Sequence, residues 1–251
     1  MKITEKAVTT RFTIVLLLTL AWQMCFVHPV LAREKTLTAQ QYLARMVTTY
    51  KSLNSYSSQV QLEVRIKGQP PIPKMQGELQ WKKPYFAAIR YRQSGESGRA
   101  VFDGKHLWAV SSLHKGSYVR QPTSTTLGTM RVLTRAGLVG NGIGVLLTHP
   151  ESVHLVATPK SLSLGTKTTL KGAPVVTVIS QTGQGQERLT LTFSIGQKDF
   201  LLHKITTEQL TNGQVLTMHE TYSQIKMNLR LPADVFKFIP PHGAKQIEKF
   251  P

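Results

Sequence analysis

The side chains that most often perform metal, acid–base or nucleophilic chemistry are scattered along this chain of 251 residues. Outside the N-terminal segment, the histidines never combine with a second ligand type into a convincing metal pattern at i, i+2 or i, i+4 spacing. These histidines are His106, His114, His149, His154, His203, His219 and His242. His149 and His154 are five positions apart, but Pro150 lies between them. We therefore expect no metal site and no cofactor.

Carboxylates are scarce, with 13 Asp and Glu against 31 Lys and Arg. Asp103 precedes Gly104, and a hairpin turn explains it better than acid–base chemistry does. Glu63 and Glu78 could form a glycosidase pair in space, yet both fall on the polar phase of their strands. The sequence contains no phosphate-binding glycine loop followed by Lys and Ser or Thr, and no Gly-x-Ser-x-Gly elbow. We predict no catalytic residue and no enzyme activity.

The apolar residues could instead line a binding surface on a curved sheet. The apolar face of a sheet must be covered, either by a helix or by a ligand. Only one large helix and one glycine-rich segment are available to cover a long sheet here. The residues that we place on the concave, ligand-binding face are Val60, Leu62, Val64, Leu79, Trp81, Ile89, Tyr91, Leu191, Phe193 and Met227. At any single position, ordinary core packing explains the pattern equally well.

Strands are the main elements that must position these residues. Residues 56–67 alternate apolar and polar side chains, and similar runs follow at 75–82 and 85–92. Asp103-Gly104 and Asn212-Gly213 are typical of two-residue hairpin turns. With the later runs, the pattern predicts about ten or eleven antiparallel strands. We expect an α+β fold in which a strongly curved antiparallel sheet forms an incomplete β-barrel with an N-terminal helix and a central helical lid.

Two helical segments accompany the strands. Thr38 can cap the first, whose apolar stripe consists of Tyr42, Leu43, Met46, Val47, Tyr50 and Leu53. The second segment contains Gly137, Gly140, Gly142 and Gly144. Each glycine lowers helix stability by roughly 1 kcal/mol relative to alanine. An apolar but loosely held segment is a candidate lid, and the alternative is an ordinary helix that plugs one end of a barrel. The lid residues would be Leu127, Met130, Leu133, Leu138, Ile143 and Leu146.

Residues 1–32 have the organisation of a secretory signal peptide. Basic residues come first, Phe12 to Val27 carries no charge, and Val30-Leu31-Ala32 supplies a cleavage site. The apolar run is shorter than the roughly 20 residues of a spanning helix, which disfavours an uncleaved membrane anchor. We predict cleavage after Ala32, a periplasmic location and a single domain over residues 33–251.

Cleavage would change both the thiol content and the charge of the chain. It removes Cys25, the only cysteine, and with it disulfide or thiolate chemistry. Loss of Lys2, Lys6, Arg11 and Glu5 lowers the net charge from +18 to +16. The basic residues are scattered and the protein is exported, so we expect no nucleic-acid partner. The charge favours an anionic membrane surface or another envelope protein as partner, or serves solubility alone.

Several motifs then occur in a recognisable order. They are Tyr50-Lys51-Ser52-Leu53, Gly77-Glu78-Leu79-Gln80-Trp81-Lys82-Lys83-Pro84, Val101-Phe102-Asp103-Gly104-Lys105-His106-Leu107-Trp108, Tyr222-Ser223-Gln224-Ile225-Lys226-Met227-Asn228-Leu229, and Phe236-Lys237-Phe238-Ile239-Pro240-Pro241-His242-Gly243-Ala244. Together they resemble the periplasmic lipoprotein carrier (LolA-like) superfamily over nearly the whole chain after residue 32. We identify the chain as a periplasmic relative rather than the carrier itself.

The resemblance implies an unclosed antiparallel barrel whose helices form a lid over an apolar cavity for acyl chains. In the carrier an arginine ties the lid shut, and Arg90 is the candidate here. The leading hypothesis is a monomeric periplasmic carrier or binding protein for the acyl chains of a lipid or lipoprotein. The alternatives are an envelope protein-interaction or stress-sensing module with a self-filled core, and a hydrolase whose site is assembled in space.

Overall fold

The computed structural model describes residues 36–122, 141–153, 157, 161–185, 187–248 and 250. These residues form two α-helices, twelve strands and three short 3-10 turns. In chain order the helices and strands are α1 (Ala39–Ser52), β1 (Ser55–Ile66), β2 (Met75–Lys82), β3 (Phe86–Gln93), β4 (Glu96–Phe102), β5 (His106–Ser111), β6 (Ser117–Pro122), α2 (Asn141–Thr148), β7 (Leu162–Leu170), β8 (Ala173–Gln184), β9 (Glu187–Gly196), β10 (Leu202–Thr211), β11 (Gln214–Met227) and β12 (Lys245–Ile247). The 3-10 turns are Ser112–His114, Pro150–Ser152 and Ala233–Phe236.

All twelve strands belong to one sheet, in the order β12-β6-β5-β4-β3-β2-β1-β11-β10-β9-β8-β7. Every pair is antiparallel except β12 with β6. Because β7 and β12 are the two ends of this order, the curved sheet is open rather than closed into a barrel. The predicted fold class is confirmed. The strand beyond the predicted ten or eleven is β12, whose three residues are too few to show an alternating pattern.

The sheet consists of two meanders that meet at β1 and β11. Strands β1 to β6 follow one another, as do β7 to β11, and the β1–β11 pair joins the two series. Val60 lies opposite Tyr222 in this pair. The Asn54 backbone amide donates to Asn228 Oδ1 at 2.8 Å, and Ser55 Oγ donates to the Leu229 carbonyl at 2.7 Å. Residues more than 170 positions apart therefore build the centre of the sheet.

Both predicted hairpins are present, with two connecting residues between β10 and β11 as predicted but three, residues 103–105, between β4 and β5. Asn212 and Gly213 have φ angles of 51° and 78°, as a type I′ turn requires. Asp103 Oδ1 accepts the backbone amides of Lys105 and His106 at 2.9 and 2.7 Å. Its Oδ2 accepts Trp108 Nε1 at 2.7 Å. Asp103 thus shapes the β4–β5 turn, as the sequence predicts.

Helix α1 lies on the inner, concave face of the sheet. It begins with a capping box, in which Thr38 Oγ1 accepts the Gln41 amide at 3.2 Å and Gln41 Oε1 accepts the Thr38 amide at 2.9 Å. Its buried side is the predicted stripe, extended by Ala39. Helix α2 ends at Thr148, before Pro150. The predicted lid residues Leu127, Met130, Leu133 and Leu138 lie outside the described residues.

The outer face of the sheet carries a second, smaller core that the sequence analysis does not foresee. Its buried members are Ala88 and Val101 from the sheet and Leu231 and Phe236 from the C-terminal segment. The Phe86 and Phe236 ring centroids are 5.6 Å apart, and the Trp108 and Phe238 rings stack at 5.2 Å. The C-terminal segment therefore packs across the outside of β3 to β5.

Candidate functional site

The structure brings most of the predicted ligand-binding residues together on the inner face. The fully buried ones, all in one continuous apolar cluster, are Val60, Leu62, Leu79, Trp81, Ile89, Leu191 and Phe193. Val64 and Tyr91 are partly buried and pack against this cluster. Their shared face follows from strand register, because directly opposed residues in an antiparallel pair point to the same side. Leu79, for example, lies opposite Ile89 on β3 and Ser58 on β1.

The two helices cover this face and contribute to the same cluster. Tyr50 of α1 is 1% exposed, and its ring lies 6.1 Å from that of Tyr56. In α2, the predicted lid residues Ile143 and Leu146 are 0% and 1% exposed. The inner face therefore packs against both described helices.

A strip of polar groups runs through this otherwise apolar interior. The Tyr56 hydroxyl, the Ser58 hydroxyl and Trp81 Nε1 are buried without a hydrogen bond of good geometry to any described residue, although Tyr56 is close enough to Ser58 and Tyr50 to interact with both hydroxyls. Tyr56 and Trp81 are directly opposed on β1 and β2, and Ser58 is two residues further along β1. Burial raises the pKa of the Tyr56 phenol, so it is a neutral hydroxyl. Three hydrogen-bonding groups thus face one small region beneath α1.

Glu220 and Tyr222 extend this strip on the neighbouring strand β11. Glu220 is 1% exposed, and the Tyr222 hydroxyl donates to its Oε2 at 2.5 Å. Burial raises the pKa of Glu220 to about 8, against a smaller lowering effect of the Tyr222 hydrogen bond. The carboxyl is therefore protonated at neutral pH. Above it, the Tyr50 hydroxyl accepts the Leu202 amide at 3.3 Å.

No sequence pattern marks this polar strip as a site. One signal was available, because Tyr56 and Ser58 fall on the same alternating phase as Val60 and Leu62. A serine in an apolar phase is an ordinary occurrence, so the phase alone did not indicate an unpartnered hydroxyl. The sequence around Glu220 shows no alternation of apolar and polar residues, since polar residues flank it on both sides. Its burial depends on α1 and the neighbouring strands, which no local pattern describes.

Two predicted site residues lie elsewhere. Arg90 is exposed and shares the outer face with Glu78 and Arg99, to which it is opposed in register. The described helices lie on the other side of the sheet. Because lid residues 127–138 are outside the described residues, the role of Arg90 in tying the lid stays a prediction. Met227 lies opposite Tyr56 at the end of β11, but it is 40% exposed and outside the buried cluster. A left-handed residue, Gln224, interrupts the regular alternation just before it.

The candidate chemical residues are engaged locally. Lys74 Nζ lies 2.8 Å from Glu63 Oε1, and Glu78 accepts Gln80 Nε2 at 3.1 Å. An Asp199–His203 pair, at 3.0 Å, is a true i, i+4 contact that the sequence analysis does not single out. Within the parts of the chain that the structure describes, no three His, Cys, Asp or Glu side chains come close enough to hold a metal ion. Nor does any described helix have the length and apolar character needed to cross a membrane.

Solved structures with a similar fold cover most of this chain. An uncharacterized conserved protein from Thermus thermophilus is 14% identical over 83% of this chain and 98% of its own, with a TM-score of 0.47. A LolA superfamily protein from Nitrosomonas europaea is 14% identical over 81% and 99%, with a TM-score of 0.38. MucB in the Pseudomonas aeruginosa MucA/MucB complex is 16% identical to this chain, with a TM-score of 0.42. The match covers 80% of this chain and 60% of that chain. These likenesses concern the fold alone.

A family model completes the comparison. The model, described as a predicted periplasmic protein, matches residues 39–249. No curated protein matches the chain. The match agrees with the export predicted from the sequence, and the protein is periplasmic; cleavage after Ala32 stays a prediction. The chain belongs to the DUF2092 family of predicted periplasmic proteins.

Proposed function

We propose that this protein binds acyl chains of a lipid or lipoprotein in the periplasm, without catalysing a reaction. The site is the inner face of the sheet, and α2 is the part of its cover that moves. One observation carries the proposal: a continuous apolar face lies under two helices and contains three buried polar groups that form no hydrogen bond of good geometry with a described residue. Apolar sites with a few polar groups are typical of small-molecule binding.

Helix α2 is the element of the cover that moves at least cost. It has eight residues, two of which are glycines, and isolated helices of this length are unstable in water. It is held by the packing of Ile143, Leu146 and Leu147 against the inner cluster. An acyl chain that replaced these side chains would gain about 0.8 kcal/mol per buried methylene. A chain of ordinary length would therefore compensate for the lost helix contacts.

In the protein without ligand, the polar strip raises the free energy of the folded state, because its buried groups lack good hydrogen bonds. An unpaired buried polar group costs about 1–3 kcal/mol. Tyr56, Ser58 and Trp81 each present a donor beneath α1, and an ester or amide carbonyl of an acylated ligand is an acceptor. A ligand that brought such a carbonyl to the strip would satisfy groups that the closed protein leaves unpaired.

The burial of the inner face is also compatible with a second candidate function, in which the interior is filled by the protein's own side chains. Leu79 and Ile89 are 0% exposed, as residues of a fully self-filled core would be. In that case the inner face never opens, and the protein acts as an envelope interaction or stress-sensing module through its outer surface. The two functions differ in whether a lipid occupies the interior.

Co-purified lipid distinguishes the two functions. The full-length chain would be expressed with its own leader, recovered from the periplasm, extracted with organic solvent and analysed by mass spectrometry. We expect acylated molecules in stoichiometric amount, and uptake of a fluorescent fatty acid by the delipidated protein. A protein that yields no lipid and takes up no fatty acid would rule out the binding function and leave the interaction module.

A further inference from the structure

Three arginines lie together on the outer face of the sheet, opposite to the proposed acyl site. Arg90 and Arg99 are directly opposed on β3 and β4, and Arg92 is two residues from Arg90 on the same face. They line a cleft of about 780 Å³ between this face and the chain near Pro241, which we call the arginine cleft. A volume of this size is in the range of small-molecule sites.

None of these three side chains forms an ion pair with a described carboxylate, although Glu78 also lines the cleft. Among the described residues, none of the three has a carboxylate oxygen within 4 Å. Glu78, which lies opposite Arg90, accepts Gln80 Nε2 instead. Elsewhere on this face the protein does pair its charges, as in the contact of Lys74 with Glu63 at 2.8 Å. The arginine cleft is therefore a concentration of unpaired positive charge.

Arg99 is also only partly satisfied in its hydrogen bonds. Its Nη2 donates to the carbonyls of Val235 and Lys237, each at 3.0 Å, which fixes the guanidinium at the wall of the cleft. Its Nε is buried and has no partner among the described residues. Burial, and then the adjacent charge of Arg90, lower the pKa of Arg99. Both effects disfavour the charged form and would be relieved by an anion.

We infer that the arginine cleft binds a phosphate group, carried either by a small soluble molecule or by a lipid headgroup. A phosphate can accept from several guanidinium groups at once, and the planar fork of arginine matches its geometry. A phosphomonoester and the phosphodiester of a lipid headgroup both carry negative charge and at least two acceptor oxygens, so either can accept hydrogen bonds from more than one of these arginines. The inference does not rest on the proposed acyl site, because the cleft lies on the other face of the sheet.

The test uses the full-length protein, recovered from the periplasm, and two probes. Inorganic pyrophosphate is titrated calorimetrically, and vesicles of phosphatidylglycerol and phosphatidylcholine in equal parts are sedimented with the protein. The cleft variant is R90Q/R92Q, since both side chains are exposed and neither forms an ion pair with a described residue. The control is R188Q/R230Q, which removes the same number of exposed arginines away from the cleft.

We expect R90Q/R92Q to bind pyrophosphate about tenfold or more weakly than the wild-type protein, because each hydrogen bond to a charged group contributes more than 1 kcal/mol. The control should bind within about twofold of wild type. If only vesicles bind, with the same difference between the variants, the phosphate belongs to a headgroup and the inference stands. Binding of neither probe, or equal losses in both variants, would overturn it.

Discussion

Ser55 and Ser58 lie three residues apart on β1, and both are buried, but only one forms a hydrogen bond of good geometry. Ser55 Oγ donates to the Leu229 carbonyl at 2.7 Å and so helps to join the C-terminal segment to the centre of the sheet. Ser58 Oγ forms no hydrogen bond of good geometry with a described residue, although it lies near the Tyr56 hydroxyl. Two residues of the same type, with the same burial, should therefore respond in opposite ways to removal of the hydroxyl.

The first prediction is that Ser58→Ala leaves the free energy of unfolding unchanged or raises it by up to about 1 kcal/mol, since it removes an unpaired group. The same variant should bind a fluorescent fatty acid several-fold more weakly, because the ligand loses a donor. Ser55→Ala is the control and should lose about 1–3 kcal/mol of stability without a change in binding. Urea denaturation and fluorescence titration measure the two quantities. A loss of stability in Ser58→Ala would contradict the assignment of an unsatisfied hydroxyl.

The second prediction concerns the buried carboxyl of Glu220. Its pKa is about 8 in the folded protein, above the ordinary value of 4.5, so the folded state holds a proton that the unfolded state releases between these values. Stability therefore falls as pH rises from about 5 to about 8, by up to about 1.4 kcal/mol per pH unit. Glu220→Gln has no proton to lose and should flatten this slope.

Denaturation midpoints at several pH values would check that prediction. Glu187→Gln, at an exposed position at the start of β9, should keep the wild-type slope. Parallel curves for the wild-type protein and Glu220→Gln would show that Glu220 does not hold the proton.

At the scale of elements, α2 and the C-terminal segment are two covers held by similar leucines. Leu146 of α2 is 1% exposed, and Leu231 in the outer core is 8% exposed. Of these two covers, α2 lies on the inner face and the C-terminal segment on the outer face. Matched substitutions that destabilise each cover to a similar degree therefore distinguish an effect on ligand uptake from an effect on stability alone.

The third prediction is that Leu146→Ala increases the rate of fatty-acid uptake several-fold, while Leu231→Ala does not. Both should lose about 2–5 kcal/mol of stability, because each leaves a cavity in a packed cluster. Stopped-flow fluorescence gives the rate, and urea denaturation gives the stability. Equal uptake rates in the two variants would mean that α2 is not the moving cover.

Local patterns were sufficient to predict the elements whose period or turn chemistry is complete within a few residues. The stripe of α1, the alternation of β1 and the Asp103-Gly104 turn are examples. β12 and the outer core could not be predicted in this way. Their existence depends on where the C-terminal segment crosses the sheet, and a period of two does not say that Ala88 and Val101 will be covered. The same limit explains Arg90, whose position in sequence did not reveal that its strand phase faces away from the described helices.

At the scale of the whole molecule, the sheet is covered on both faces, by helices inside and by the C-terminal segment outside. Phe236 is 4% exposed and contacts Phe86, whereas Ile239, three residues later, is 83% exposed. The segment is thus anchored at one point and free of the core at another.

The fourth prediction is that Phe236→Ala lowers the free energy of unfolding by about 3–5 kcal/mol, whereas Ile239→Ala changes it by less than about 0.5 kcal/mol. Both are measured by urea denaturation of the whole chain. Uptake of fatty acid by folded Phe236→Ala should remain at the wild-type level, since the outer core does not touch the inner face. A small effect of Phe236→Ala would mean that the C-terminal segment is a dispensable tail.

The pairing of β1 with β11 has a consequence for how an exported chain acquires its structure. The first strand to emerge on the far side of a membrane finds one of its two neighbours only after nearly all the others have crossed. Contacts of such high sequence separation slow folding and leave strand edges exposed in the meantime. The half-sheet of β1 to β6 must therefore stay soluble with an unpaired central edge during translocation. We expect a dependence on periplasmic chaperones that is set by topology rather than by the stability of the finished protein.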